Sequence, residues 1–199
     1  MDALITTARL AADLGASDLR IVDATFFLPE HGRDARVEHE AGHIPGAVFL
    51  DLATLKDAAT DVPNMAPPAD LFAERLGALG VGEADRIVLY DDSPLRSSAR
   101  AWWLLRGFGA RRVAILDGGL AKWRAEGRPL GTGLERPALR SFAAQHDPSS
   151  VRTIDQMRAN LTSVAEQVLD ARSPARFSGE EPDPRPHVAS GHIPGARNL

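Results

Sequence analysis

The chain of 199 residues contains no cysteine. Disulfides, thiolate metal sites and thiol nucleophiles are therefore excluded within it. It also lacks any apolar run near ~18 residues, the length that reads as a membrane-spanning helix. The opening MDALITTARLAADLG carries acids and has no basic start before an apolar stretch. It reads as a short amphipathic helix, not as a signal peptide. Positive charge is not in excess: the net charge is −4 and the pI ≈ 5.9. Lysines and arginines are scattered, densest at RDAR (33–36) and RR (111–112), which argues against a nucleic-acid or acidic-membrane partner. Neither GxGxxG nor GxxxxGK occurs, so Gly118-Gly119 reads as a tight strand-to-helix turn and not as a phosphate loop. These absences point to a cytoplasmic protein. The remaining composition, 44% apolar and 25% charged, suits a chain that buries a core.

One phrase is written twice. IVDATFF…AGHIPGAVFLDL at 21–52 returns as VLDARSP…SGHIPGARNL at 168–199. His43 and His192 are 149 positions apart, Asp23 and Asp170 147. Solenoid periods fall at roughly 20–50 residues, so this spacing predicts a duplicated domain. The second copy reaches residue 199 at the place from which the first runs on.

Between the copies, strands and helices alternate. Leu19–Ala24 is a short β-rich run, and a helical turn is expected near Ala35–Ala41. GHIPGA is a turn in which proline presets φ and glycine permits unusual values. Pro68 opens a helix through Leu79. Arg86–Tyr90 is a continuous apolar run of the kind buried in a parallel sheet. Helices are expected at 97–108 and after Gly119, with a strand at 112–116 between them. A helix at 153–161 and a strand at 167–170 reopen the plan. The fold class is α/β, a parallel sheet with helices on both faces and right-handed crossovers. The boundaries expected are a complete domain over 1–127, a linker over 128–150 rich in proline and glycine, and the N-terminal part of a second domain over 151–199. Residues 151–199 alone offer too little surface to bury, so order there is expected from docking on the first domain, another chain or a separate C-terminal piece.

GHIPGA written twice, DGGLAKW at 117–123 and ARAWWLLRGFG at 99–109 resemble the rhodanese family. The likeness is to its tandem-domain sulfurtransferases of the 3-mercaptopyruvate and thiosulfate type, and it covers nearly the whole chain. The family's aromatic before the first histidine is replaced by His39. The resemblance implies that only the second domain is catalytic, through a cysteine that opens the loop after its central strand. Loop N–H groups and a helix N-terminus there stabilise the thiolate and its persulfide. In the first domain Asp91 stands at that loop position. A carboxylate cannot carry a sulfane sulfur, so this copy is expected to be non-catalytic. The catalytic half-domain with its cysteine is expected beyond residue 199, and the 199 residues alone are expected to be inactive.

The resemblance further implies that Arg176 and Arg185 face the carboxylate and carbonyl of the donor, as guanidinium groups suit. For Arg185 a solvated loop charge is the alternative. It also implies a helper pair, His43 and Asp34, that assists proton movement; imidazole fits that task by its pKa of ~6.5. The plainer reading of His43 and His192 is a turn cap. His31, His39, His146 and His187 form no metal-like pair and read as surface residues. Asp23 and Asp170 read as acceptors of backbone N–H groups in turns. Trp102, Trp103 and Trp123 read as packing. Asp91-Asp92 suggests Mg²⁺ or acid–base chemistry only weakly, because no further acids accompany them. No cofactor or metal is implied. The partners implied are a small-molecule sulfur donor and a cyanide or thiol acceptor. The function expected is a sulfurtransferase; a non-catalytic scaffold or binding module is the alternative.

Overall fold

In the computed structural model, residues 2–183 and 188–199 are described. They fall into two units, Met1–Asp147 and Pro148–Leu199.

The first unit is organised on the apolar run at Arg86–Tyr90, which forms β4. The elements in chain order are β1 (Leu4–Ile5), α1 (Thr7–Asp13), β2 (Leu19–Asp23), α2 (Ala35–Ala41), β3 (Ala47–Phe49), α3 (Ala69–Ala78), β4, α4 (Ser98–Gly107), β5 (Val113–Leu116) and α5 (Gly119–Ala125). The strands pair in parallel in the order β1-β5-β4-β2-β3. Side chains alternate across the sheet. Ile87 and Leu89 of β4 pack on one face with Val22, Phe72, Leu104 and Phe108. Val88 and Tyr90 pack on the other with Leu10, Ile21, Leu120 and Trp123. Each large apolar side chain buried in this way contributes roughly 1.5–3 kcal/mol, which is why β4, covered on both faces, is apolar from Ile87 to Tyr90.

Two stretches depart from the sequence reading. Residues 4–5, expected inside an N-terminal helix, form the edge strand β1. The N–H groups of Ile115 and Asp117 donate to the carbonyls of Ala3 and Ile5 at 2.8 and 2.9 Å. The helix begins only at Thr7, where the Thr6 hydroxyl accepts the Arg9 N–H. Two residues carry no periodicity, so the strand left no pattern to read. The expected linker also differs, since residues 128–147 lie within the first unit. Phe142 is buried against Phe72. The Arg140 guanidinium meets Asp85 at 2.7 Å, and Gln145 and Asp147 donate to the carbonyls of Phe108 and Gly107. A strap held by single backbone bonds has neither helical nor strand period.

The second unit contains α6 (Ile154–Ser163), β6 (Leu169–Asp170), α7 (Pro174–Ser178) and β7 (Arg197–Asn198). Thr153 and Gln156 cap α6 reciprocally. β6 and β7 pair in parallel, Asp170 opposite Asn198, as β2 and β3 pair with Asp23 opposite Phe49. Among the described residues of this unit none is buried. Among all described residues, no helix is long and apolar enough to cross a membrane.

Candidate functional site

In the first unit, the chain leaves β2 toward β3 and leaves β4 toward β5, in opposite directions along the sheet. The crevice outside the carboxyl ends of β2 and β4 is therefore the place where open α/β sheets bind ligands. Asp91, directly after β4, sits there and is 8% exposed. Its carboxylate accepts the N–H of Ser93 at 3.1 Å and that of Ser98, the first residue of α4, at 2.8 Å. A loop that wraps backbone donors around an anion, backed by the positive end of a helix, is here filled by its own side chain. The loop is also stitched to residues 24–26. The Ser97 hydroxyl donates to the Ala24 carbonyl and accepts the Phe26 N–H. The Ser93 hydroxyl donates to the Phe26 carbonyl, and the Asp92 N–H donates to the Thr25 hydroxyl. Gly119 closes the other side. Its φ is +57°, and a Cβ there would lie 2.4 Å from the Asp91 carbonyl oxygen, so only glycine fits.

Beside the loop lies a cleft of ≈ 730 Å³ lined in part by Arg33, Asp91, Asp92, Arg96 and Asp117. Asp92 is paired to Arg124 at 2.9 Å and to Arg33 at 3.5 Å. Both neighbouring acids are thus engaged, and no group of three or more metal-ligating side chains occurs among the described residues.

Asp34 and His43 stand at opposite ends of α2. Asp34 is exposed and caps the helix, its carboxylate accepting the N–H groups of Arg36 and Val37. His43 is 1% exposed. Its Nδ1 donates to the His39 carbonyl at 2.8 Å, and its backbone exchanges two hydrogen bonds with Gly131. Each is bonded to backbone, not to the other. His39 is not a surface residue: it is 2% exposed, its Nδ1 lies 2.9 Å from the Asp23 carboxylate, and its ring stacks on His43 at 4.2 Å. Nε2 of both rings is buried without a partner. The missed signal was the i, i+4 spacing of two histidines, which places them on one helical face. Asp23 also accepts the N–H and hydroxyl of Thr25. Close by, Tyr90 is fully buried, and desolvation, helped by the Asp23 charge, pushes its phenol well above the usual value. Of the other histidines, His31 accepts the Leu28 N–H and His146 is exposed beside Phe108.

The second unit repeats this geometry with different side chains. Asp170 accepts the Arg172 N–H and is clamped by the Arg172 guanidinium, which holds its carboxyl at about 2. His192 donates through Nδ1 to the Phe177 carbonyl at 2.8 Å and stacks on the Phe177 ring at 3.8 Å. Arg176 pairs with Asp183 at 2.6 Å, while its Nε is buried without a partner. Arg185 and His187 lie outside the described residues.

Residues 6–126 match the model of the rhodanese-like domain. Over 192 residues the chain is 44% identical to 3-mercaptopyruvate sulfurtransferase of Homo sapiens, a match covering 96% of the chain and 65% of that protein. It is 39% identical over 197 residues to thiosulfate sulfurtransferase of Gallus gallus, covering 98% of the chain and 67% of the relative. The crystal structure of SseA from Escherichia coli, described as a 3-mercaptopyruvate sulfotransferase with the rhodanese fold, superimposes with a TM-score of 0.90 at 34% identity. That match covers all of this chain and 74% of the other. The chain thus spans about two thirds of the length of its curated relatives. The parallel sheet, the repeated GHIPGA turn and the loop closed on an anion have one common account: the chain belongs to the rhodanese family.

Proposed function

We propose that these residues serve a sulfurtransferase that moves the thiol sulfur of 3-mercaptopyruvate, or the sulfane sulfur of thiosulfate, to cyanide or a thiol. The observation that carries this is the likeness to 3-mercaptopyruvate sulfurtransferases over 96% of the chain, in both copies of the repeat. The chemistry runs through a cysteine persulfide, and the 199 residues hold no cysteine. On their own they are inactive, because a carboxylate such as Asp91 cannot take its place. The first unit supplies scaffold and the helpers His43 and Asp34. With Nδ1 donating to the His39 carbonyl, the bare Nε2 of His43 is its basic atom.

The second unit supplies donor recognition. Arg176, already facing the Asp183 carboxylate, and Arg185 bind the carboxylate and carbonyl of a 2-oxo acid. Arginine suits this because it stays charged and presents paired donors. The filled loop around Asp91 favours the second reading for the first unit taken alone, a binding or scaffold domain without turnover.

The test uses the 199-residue chain with pyruvate as a stand-in for the donor. Pyruvate is expected to shift the amide resonances of residues 170–183, and R176A to abolish the shift. Incubation with either sulfur donor and cyanide is expected to yield no thiocyanate above background. Turnover by the cysteine-free chain, or a pyruvate response that R176A leaves intact, would overturn the proposal.

A further inference from the structure

Asp23 and Asp170 hold the same place, at the ends of β2 and β6. Each accepts through Oδ1 the N–H of the residue two positions on. They differ in what closes Oδ2. Asp170 is closed by Arg172, from that same position. In the first copy the position holds Thr25, which carries no charge. Oδ2 of Asp23 meets His39 instead, at 2.9 Å and 16 residues away. His39 stands where the second copy stacks Phe177 on its histidine, and the Nδ1-to-carbonyl bond is 2.8 Å in both copies. A phenyl ring would satisfy the stack equally and take from Asp23, at 2% exposure, the 2.9 Å partner of its Oδ2, leaving the Tyr90 hydroxyl as the neighbouring donor. What the imidazole adds is therefore directed at Asp23.

Thr25 is freed for another contact. Its hydroxyl donates to Asp23 and accepts the Asp92 N–H. A continuous chain of bonds, His39 to Asp23 to Thr25 to Asp92, runs from α2 across the end of β2 to the loop at 91–98. Together with Glu38, Leu120 and Arg124, these residues line a space of only ≈ 10 Å³, the room of about one water.

We propose that His39, Asp23 and Thr25 form a clasp that holds the crevice of the first unit shut, with His39 as the positioning residue that replaces the arginine of the second copy. Its bond fixes His39 as the Nδ1–H tautomer, since both oxygens of Asp23 act as acceptors. The clasp is the physical reason the space at the end of β2 shrinks to ≈ 10 Å³, while the cleft on the β5 side of the Asp91 loop stays open.

The test is H39F in the full chain, which installs the second copy's aromatic, read by amide hydrogen exchange. The Thr25 and Asp92 amides are expected to exchange at least ~10-fold faster while the amides of β4 keep their rates, the mark of local opening. No change at Thr25 and Asp92, or equal acceleration through β4, would overturn the clasp. If H39F does not fold, nitrogen-15 NMR of the unmodified chain decides: a proton on His39 Nδ1 with Nε2 bare supports the bond, and a proton on Nε2 alone rules it out.

Discussion

At the scale of single residues, two titrations report the surroundings of the two copies. Tyr90 is the chain's one tyrosine, and burial raises its phenol well above the usual ~10. Its neutral form is favoured in the folded state. The stability this contributes is complete below pH ~10 and is lost as the pH rises past that value. Absorbance at the phenolate band is expected to stay flat through pH ~10 and to rise only with loss of native circular dichroism. A midpoint near ~10 in a folded chain would contradict the buried site.

Asp170 behaves in the opposite sense, because Arg172 holds its carboxyl at about 2, below the ordinary 3.8. The stabilisation is present above the ordinary value and is lost as the pH falls through the lower one. R172A is expected to return the Asp170 titration toward 3.8, followed by carbon-13 NMR of the carboxyl. Residues of this kind were legible only where chemistry and motif coincide. Asp23 and Asp170 as acceptors of N–H groups followed from their place at strand ends. His39 did not: its spacing to His43 marks only the stacked pair, and its burial depends also on Asp23, a partner 16 residues away.

At the scale of elements, the loop after β4 shows one side chain doing the work of a ligand. D91A removes the acceptor of two loop N–H groups, and each buried donor left without a partner costs about 1–3 kcal/mol. Urea unfolding is expected to show a lower midpoint with an unchanged slope; an unaltered midpoint would mean that water replaces the carboxylate without loss. The long elements were readable because their patterns are strong. Ile87–Tyr90 forms the buried apolar stretch of β4, and the Pro68–Leu79 stripe became α3. The short ones were not: β1 owes its existence to two carbonyls that meet β5, and the strap at 128–147 to Phe142 filling a place beside Phe72. Tertiary contacts made these segments, and composition alone described them as a helix and a linker.

At the scale of the whole molecule, the two units differ in how much they bury. The first has a continuous core on both faces of its sheet, whereas none of the described residues of the second is buried. Limited proteolysis of the 199-residue chain is expected to cut first within 148–199 and to leave a resistant fragment close to Met1–Asp147. A resistant fragment ending near residue 127 would show that the strap is not part of the folded core.

The strand order has a consequence for synthesis. β1, at the beginning of the chain, has its only described strand partner in β5, with Leu4 opposite Ile115. β1 therefore has no seat on the sheet until more than a hundred later residues have been made, several seconds on at ~5–20 residues per second. The earliest strand of this sheet is thus among the last to be put away.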